Sequence, residues 1–121
     1  MPPCLKSETV RVGHALVCSF AGDMILDGEP LAAQALNAAL DQQPALLAVD
    51  LAGVELFTST GLNLLLTARR RAAAEGVPLV LVAPRQQTLR VLEITGTAVL
   101  FAVYATAEDA LRHYPPQSSP A

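Results

Sequence analysis

Residues 45–51, Ala-Leu-Leu-Ala-Val-Asp-Leu, are apolar almost without a break, and an amphipathic helical pattern begins within ten residues of their end. A strand with one face in water alternates polar and apolar side chains. One that does not alternate must be covered on both faces, the normal state of a strand inside a parallel sheet. Parallel neighbours need long crossovers, so this segment demands strand–helix–strand units around it.

The flanking sequence supplies them. Thr9–Gly13 and Ala15–Ala21 read as two strands joined by a tight turn at Gly13-His14, with Gly22-Asp23 expected to break the second. Leu31, Ala35, Leu36, Ala39 and Leu40 recur at helical spacing, giving a helix over Glu29–Asp41 with Pro30 in its first turn and Pro44 beyond its end. After the apolar strand comes a loop over Ala52–Thr58, then a helix over Ser59–Glu75 that Gly76 closes. Its inner side is expected from Leu62, Leu65, Leu66, Ala72 and Ala73, with the Arg69 stem on apolar surface and its guanidinium in water.

Pro78–Ala83 is the next strand, Thr88–Ile94 a short helix stopped by Thr95-Gly96, and Leu100–Tyr104 a fifth, edge strand. Thr106 caps a last helix with Glu108 in its first turn and His113 near its end, and Tyr114-Pro115-Pro116 stops it. The fold class is therefore α/β, a mixed, mostly parallel sheet of about five strands with about four helices and an opening hairpin. Residues 1–114 form one domain, and the Pro/Ser-rich tail 115–121 is expected to be disordered.

Composition narrows the function. With 52% hydrophobic but only 4% aromatic residues and no Trp, a single core must be built from Ala, Leu and Val. A net charge of −3 gives no footprint for nucleic acid or anionic membrane, and Arg69-Arg70-Arg71 is too short a run to change that. Cys4 and Cys18 have no metal or redox spacing; Cys18 reads as a small buried residue and Cys4 as an exposed one. Neither an apolar leader nor an 18-residue apolar run occurs, so a cytoplasmic protein is expected.

The segment Leu-Phe-Thr-Ser-Thr-Gly-Leu at 56–62 carries the most specific chemistry. It sets Ser59 and Thr60 at a strand-to-helix junction, beside the first free N–H groups of a helix, where a phosphate or other anion is readily held. The bland alternative is a plain N-cap by Ser59 or Thr58. Asp50 reads as a carboxylate tied to nearby backbone, Asp23 as a partner contact or a turn residue, and His14 as a turn residue. A G-x-S-x-G elbow is absent, with Phe57 where its first Gly would stand, and there is no G-x-G-x-x-G or Walker loop. Catalysis and a bound cofactor are not expected, and a small α/β enzyme or nucleotide-binding domain is the weakest reading.

Four stretches in order, Phe20-Ala21-Gly22-Asp23-Met24, Val49–Val54, Thr58-Ser59-Thr60-Gly61-Leu62, and Arg90–Gly96 followed by Leu100-Phe101, resemble those of the STAS domain. The resemblance is to the single-domain bacterial anti-sigma factor antagonists, and it spans residues 8–113. It implies that Ser59 is a phosphoacceptor for a partner that is both anti-sigma factor and serine kinase. It also implies that Asp23, Thr58, Ser59, Thr60, Gly61, Leu62 and Asn63 face that partner. Gly61 would let the partner approach, a phosphoserine phosphatase would reset the switch, and the chain would be a monomer or a weak dimer. Thr58 stands where the family pattern has Asp, and Ile25 near its second acidic position. These departures favour, as the alternative, a STAS scaffold or regulatory subunit of a transporter or signalling complex with no phosphorylation switch.

Overall fold

In the computed structural model, residues 5–113 are described, and the expectations for Cys4, Tyr114 and the tail 115–121 lie outside them. Five strands, β1 (Lys6–Val12), β2 (Ala15–Met24), β3 (Leu46–Phe57), β4 (Leu79–Val82) and β5 (Ala102–Tyr104), make one sheet in the order β1-β2-β3-β4-β5. Only β1 runs antiparallel; β2 through β5 are parallel to one another. Helices α1 (Glu29–Asp41), α2 (Ser59–Ala74), α3 (Gln86–Ile94) and α4 (Ala107–His113) alternate with the later strands. This is the mixed sheet and hairpin opening that the pattern required.

The strands progress in one direction across the sheet, so right-handed crossovers place α1, α2 and α3 on the same face. That face holds the larger core: Leu16, Cys18 and Phe20 of β2 and Leu47, Val49 and Leu51 of β3 pack under Leu36, Leu40, Leu65, Ala68, Ala72 and Leu92. Each fully buried Leu, Phe or Val contributes about 1.5–3 kcal/mol relative to exposure. Among the described residues the opposite face is covered by α4 alone, through Ala110 over Ala48, Val80 and Val82.

Two expected strand ends move. β2 does not stop at Gly22-Asp23, and 52–57 is strand rather than loop. The two strands lengthen together, pairing Ala21 with Gly53, Gly22 with Val54, Asp23 with Leu56 and Met24 with Phe57 across two register shifts. Gly53 makes this possible, because a β-carbon there would lie 2.8 Å from Ala21 Cβ and 2.9 Å from the Phe20 carbonyl oxygen. Beyond the glycine, buried Val54 and Phe57 hold the extension to the core while Glu55 and Leu56 stay outside.

Smaller differences follow from packing. On α2 the buried residues include Leu64 and Ala68, while Ala73 is exposed. Arg69 Nε donates to the Leu100 carbonyl oxygen at 2.7 Å, so its guanidinium ties down a loop as well as meeting solvent. Residues 98–100 form a 3-10 turn, which shortens β5 to three residues. The Thr106 hydroxyl accepts from Asp109 N–H at 3.0 Å, the cap expected for α4.

Candidate functional site at the start of α2

The extended ends of β2 and β3 lift the chain clear of β4 before it turns into α2. Thr58 is the N-cap residue, in extended conformation (φ −118°, ψ −173°), and its carbonyl accepts the first helical bond from Leu62 N–H at 3.1 Å. Its hydroxyl does not cap the helix. It donates instead to the Met24 carbonyl oxygen at 3.1 Å, pinning the junction to the end of β2. No side chain among the described residues caps α2, so the plain N-cap reading of Thr58 or Ser59 is not what the geometry displays. The first-turn N–H groups of a helix of 16 residues are left to solvent or to a ligand.

Ser59, the first residue of α2, is exposed, Thr60 is half-buried, and Asn63 is exposed one turn on. Asp23 is half-buried on the neighbouring strand end, opposite Leu56, and Ile25 follows at the rim. Asp23, Thr58, Ser59, Thr60 and Asn63 thus share one end of the molecule, at the carboxyl ends of the parallel strands, where ligands of open α/β sheets collect.

Gly61 and Leu62 point the other way. Both are buried, and a β-carbon on Gly61 would sit 2.7 Å from Phe57 Cε1 and 3.0 Å from Met24 Sδ. The glycine is there so that the helix start can settle onto Phe57 and Met24; the expectation that it opens the surface to a partner gives way to this inward role. Asp50 Oδ1 accepts from Ala52 N–H at 2.9 Å, the backbone tie expected of it. Cys18 is fully buried, which pushes its thiol up, with a hydrogen bond from the Thr9 side chain drawing it partly back.

One residue of the site escaped the sequence. Gln87 of α3 accepts from Phe57 N–H through Oε1 at 2.8 Å and donates from Nε2 to the Phe57 carbonyl oxygen at 2.9 Å. The contact spans 30 residues, and no local pattern marks it. Among the described residues no group of three or more His, Cys, Asp or Glu could hold a metal, and no helix is long and apolar enough to cross a membrane.

A protein-family model described as "Mlab, STAS domain" matches residues 7–103. The chain belongs to the STAS domain family. Among solved structures it is similar to an anti-sigma factor antagonist from Mycobacterium paratuberculosis, at 27% identity over 91% of this chain and 93% of that one, with a TM-score of 0.84. The Bacillus cell fate determinant SpoIIAA in its phosphorylated form shares the fold at 16% identity, 89% and 98% coverage and a TM-score of 0.71. So does murine Slc26a9, an anion transporter in the inward-facing state, at 15% identity and a TM-score of 0.77, covering 89% of this chain and 19% of the transporter. No curated protein matches. The same fold therefore occurs both in a small antagonist and as part of a much larger transporter.

Proposed function

We propose that this STAS protein is an anti-sigma factor antagonist. It docks through the α2 start on an anti-sigma factor that is also a serine kinase, frees the sigma factor, and is released when that kinase phosphorylates Ser59. The observation that carries the reading is the exposed Ser59 at the head of a helix whose first turn no side chain caps. Likeness to an antagonist at 27% identity supports it.

The switch has a physical basis. The γ-phosphoryl group of ATP passes to Ser59 Oγ, the hydroxyl proton leaves with a base of the kinase, and ADP departs. About −1.5 to −2 charges and three acceptor oxygens are added. The helix N-terminus accepts that charge without unfolding, because free N–H groups and the dipole favour it. The effect falls on the interface, where bulk and charge at a desolvated contact remove about 3–5 kcal/mol, roughly two to nearly four decades in affinity. Asp23, Thr58, Thr60 and Asn63 are the contacts that surround Ser59. Gly61 and Leu62 act from beneath by supporting the helix start. A phosphoserine phosphatase would restore the binding form, in the cytoplasm, without a cofactor.

The test is to incubate the protein with serine-kinase anti-sigma factors from its own cell, with and without ATP. A complex that dissolves with ATP, together with a phosphoryl mass shift at Ser59, supports the reading. Absence of both with every candidate overturns it.

A second reading is favoured by Thr58, whose hydroxyl is engaged by Met24 at a position where the resembling antagonists carry Asp, and by Ile25. In it the domain is a scaffold or regulatory subunit of a transporter or signalling assembly, and Ser59→Asp leaves partner binding unchanged.

A further inference from the structure

Among the described residues, the outer half of β3 has no strand beside it on the β4 side, since β4 ends at Val82, opposite Asp50. Backbone groups along residues 52–57 would otherwise face that gap without partners. Two side chains from the start of α3 stand in for the missing strand. Arg85 Nε donates to the Ala52 carbonyl oxygen at 2.7 Å, and Gln87 takes both the N–H and the carbonyl of Phe57. Phe57 lies two residues before Ser59 and is 1% exposed. From the other side, Thr58 is held by the Met24 carbonyl. The chain entering α2 is therefore gripped between β2 and α3 at consecutive residues.

We infer that Gln87 is a positioning residue for the Ser59 site. Its carboxamide fixes the direction in which Ser59 and the free first-turn N–H groups are presented, and it ties that presentation to the seating of α3. The side-chain chemistry is selective. A primary amide offers one acceptor and one donor at the spacing of a peptide edge; a carboxylate lacks the donor, and Lys or Arg lacks the acceptor. Asn has the same head on a stem one methylene shorter, which cannot reach from this backbone position. Coupling runs both ways: charge placed on Ser59 is felt at α3, and whatever shifts α3 is felt at Ser59. The inference bears on function through the antagonist reading, but the grip itself does not depend on it.

The experiment is amide hydrogen exchange and backbone NMR on the full chain, comparing wild type with Gln87→Met and Gln87→Glu. The first matches the volume without hydrogen bonds, and the second keeps the acceptor alone at neutral pH. Val91→Ala, on the same helix but with no part in the hydrogen bonds to Phe57, serves as a control for a general loss of stability. In Gln87→Met, Phe57 N–H should exchange about tenfold faster than stability alone accounts for, and the amide signals of Ser59, Thr60 and Gly61 should move. Gln87→Glu should retain most of the Phe57 N–H protection while still moving those three signals. Signals that move no further than in Val91→Ala, with Phe57 protection unchanged, overturn the inference. If the signals move but Ser59 is never phosphorylated by any candidate kinase, Gln87 keeps its positioning role and only the antagonist reading falls.

Discussion

Gly61→Ala tests whether the helix start is seated inward as tightly as the structure has it. The new β-carbon would lie 2.7 and 2.8 Å from Phe57 Cε1 and Cδ1 and 3.0 Å from Met24 Sδ. Phe57 and Met24 are each 1% exposed, so the rigid ring has no room to retreat and only the thioether can flex. Forcing a methyl group into such a site costs about 1–3 kcal/mol. Alanine returns up to about 1 kcal/mol by its better helix propensity. With the full return the net loss is up to about 2 kcal/mol, or a urea midpoint lower by up to roughly 1 M at an unchanged slope. Far-UV circular dichroism in urea measures it, and Phe57→Leu in the same chain should recover part of the loss, since the two sites share one contact. A midpoint equal to or above wild type would mean that helix propensity prevails and that Gly61 is not packed as described.

Three further outcomes follow. Thr88 is fully buried and its hydroxyl has no hydrogen-bond partner among the described residues, so Thr88→Val should raise stability by about 1 kcal/mol in the same titration. Ser59→Asp should keep the fold and add about 0.3–1 kcal/mol of stability, read as a thermal midpoint held or raised, because a carboxylate at an uncapped N-terminus meets free N–H groups; a clear drop in the midpoint would refute that geometry. Burial raises the Cys18 thiol above its ordinary 9.0, so the unfolded chain loses this proton first, and stability present below pH 9 is lost as pH rises past it. The stability gap between wild type and Cys18→Ala should therefore narrow between pH 8 and 10, by up to about 1.4 kcal/mol per pH unit, and a constant gap would refute the assignment.

Much of this architecture was legible because it follows from period and punctuation. The unbroken apolar run at 45–51 required a doubly covered strand, and Pro30 and the spacing of Leu36 and Leu40 set α1 at Glu29–Asp41. What escaped was decided across the sheet. Gly22 read locally as a strand breaker and Gly53 as part of a loop, yet the two strands extend together, and Gly53 lets them pass closely enough to do so. The location of Ser59 could be read from a strand-to-helix change of period. The grip of Gln87 on Phe57 and the diversion of the Thr58 hydroxyl to Met24 join elements more than 25 residues apart, and no short window contains both partners. Gly61 was legible as unusual, but only its neighbours reveal that the reason lies beneath the helix.

The opening hairpin has a protective consequence. All seven residues of β1 are exposed, whereas β2 behind it is a ten-residue strand that is mostly buried and carries Leu16, Val17 and Phe20. Peeling β1 away would sacrifice little core, yet it would bare the long backbone edge of β2, a template on which other chains could stack. The charged, expendable outer strand, with Lys6, Glu8 and Arg11, is thus a fender. Losing it would show up first as a solubility defect, before any loss of the fold.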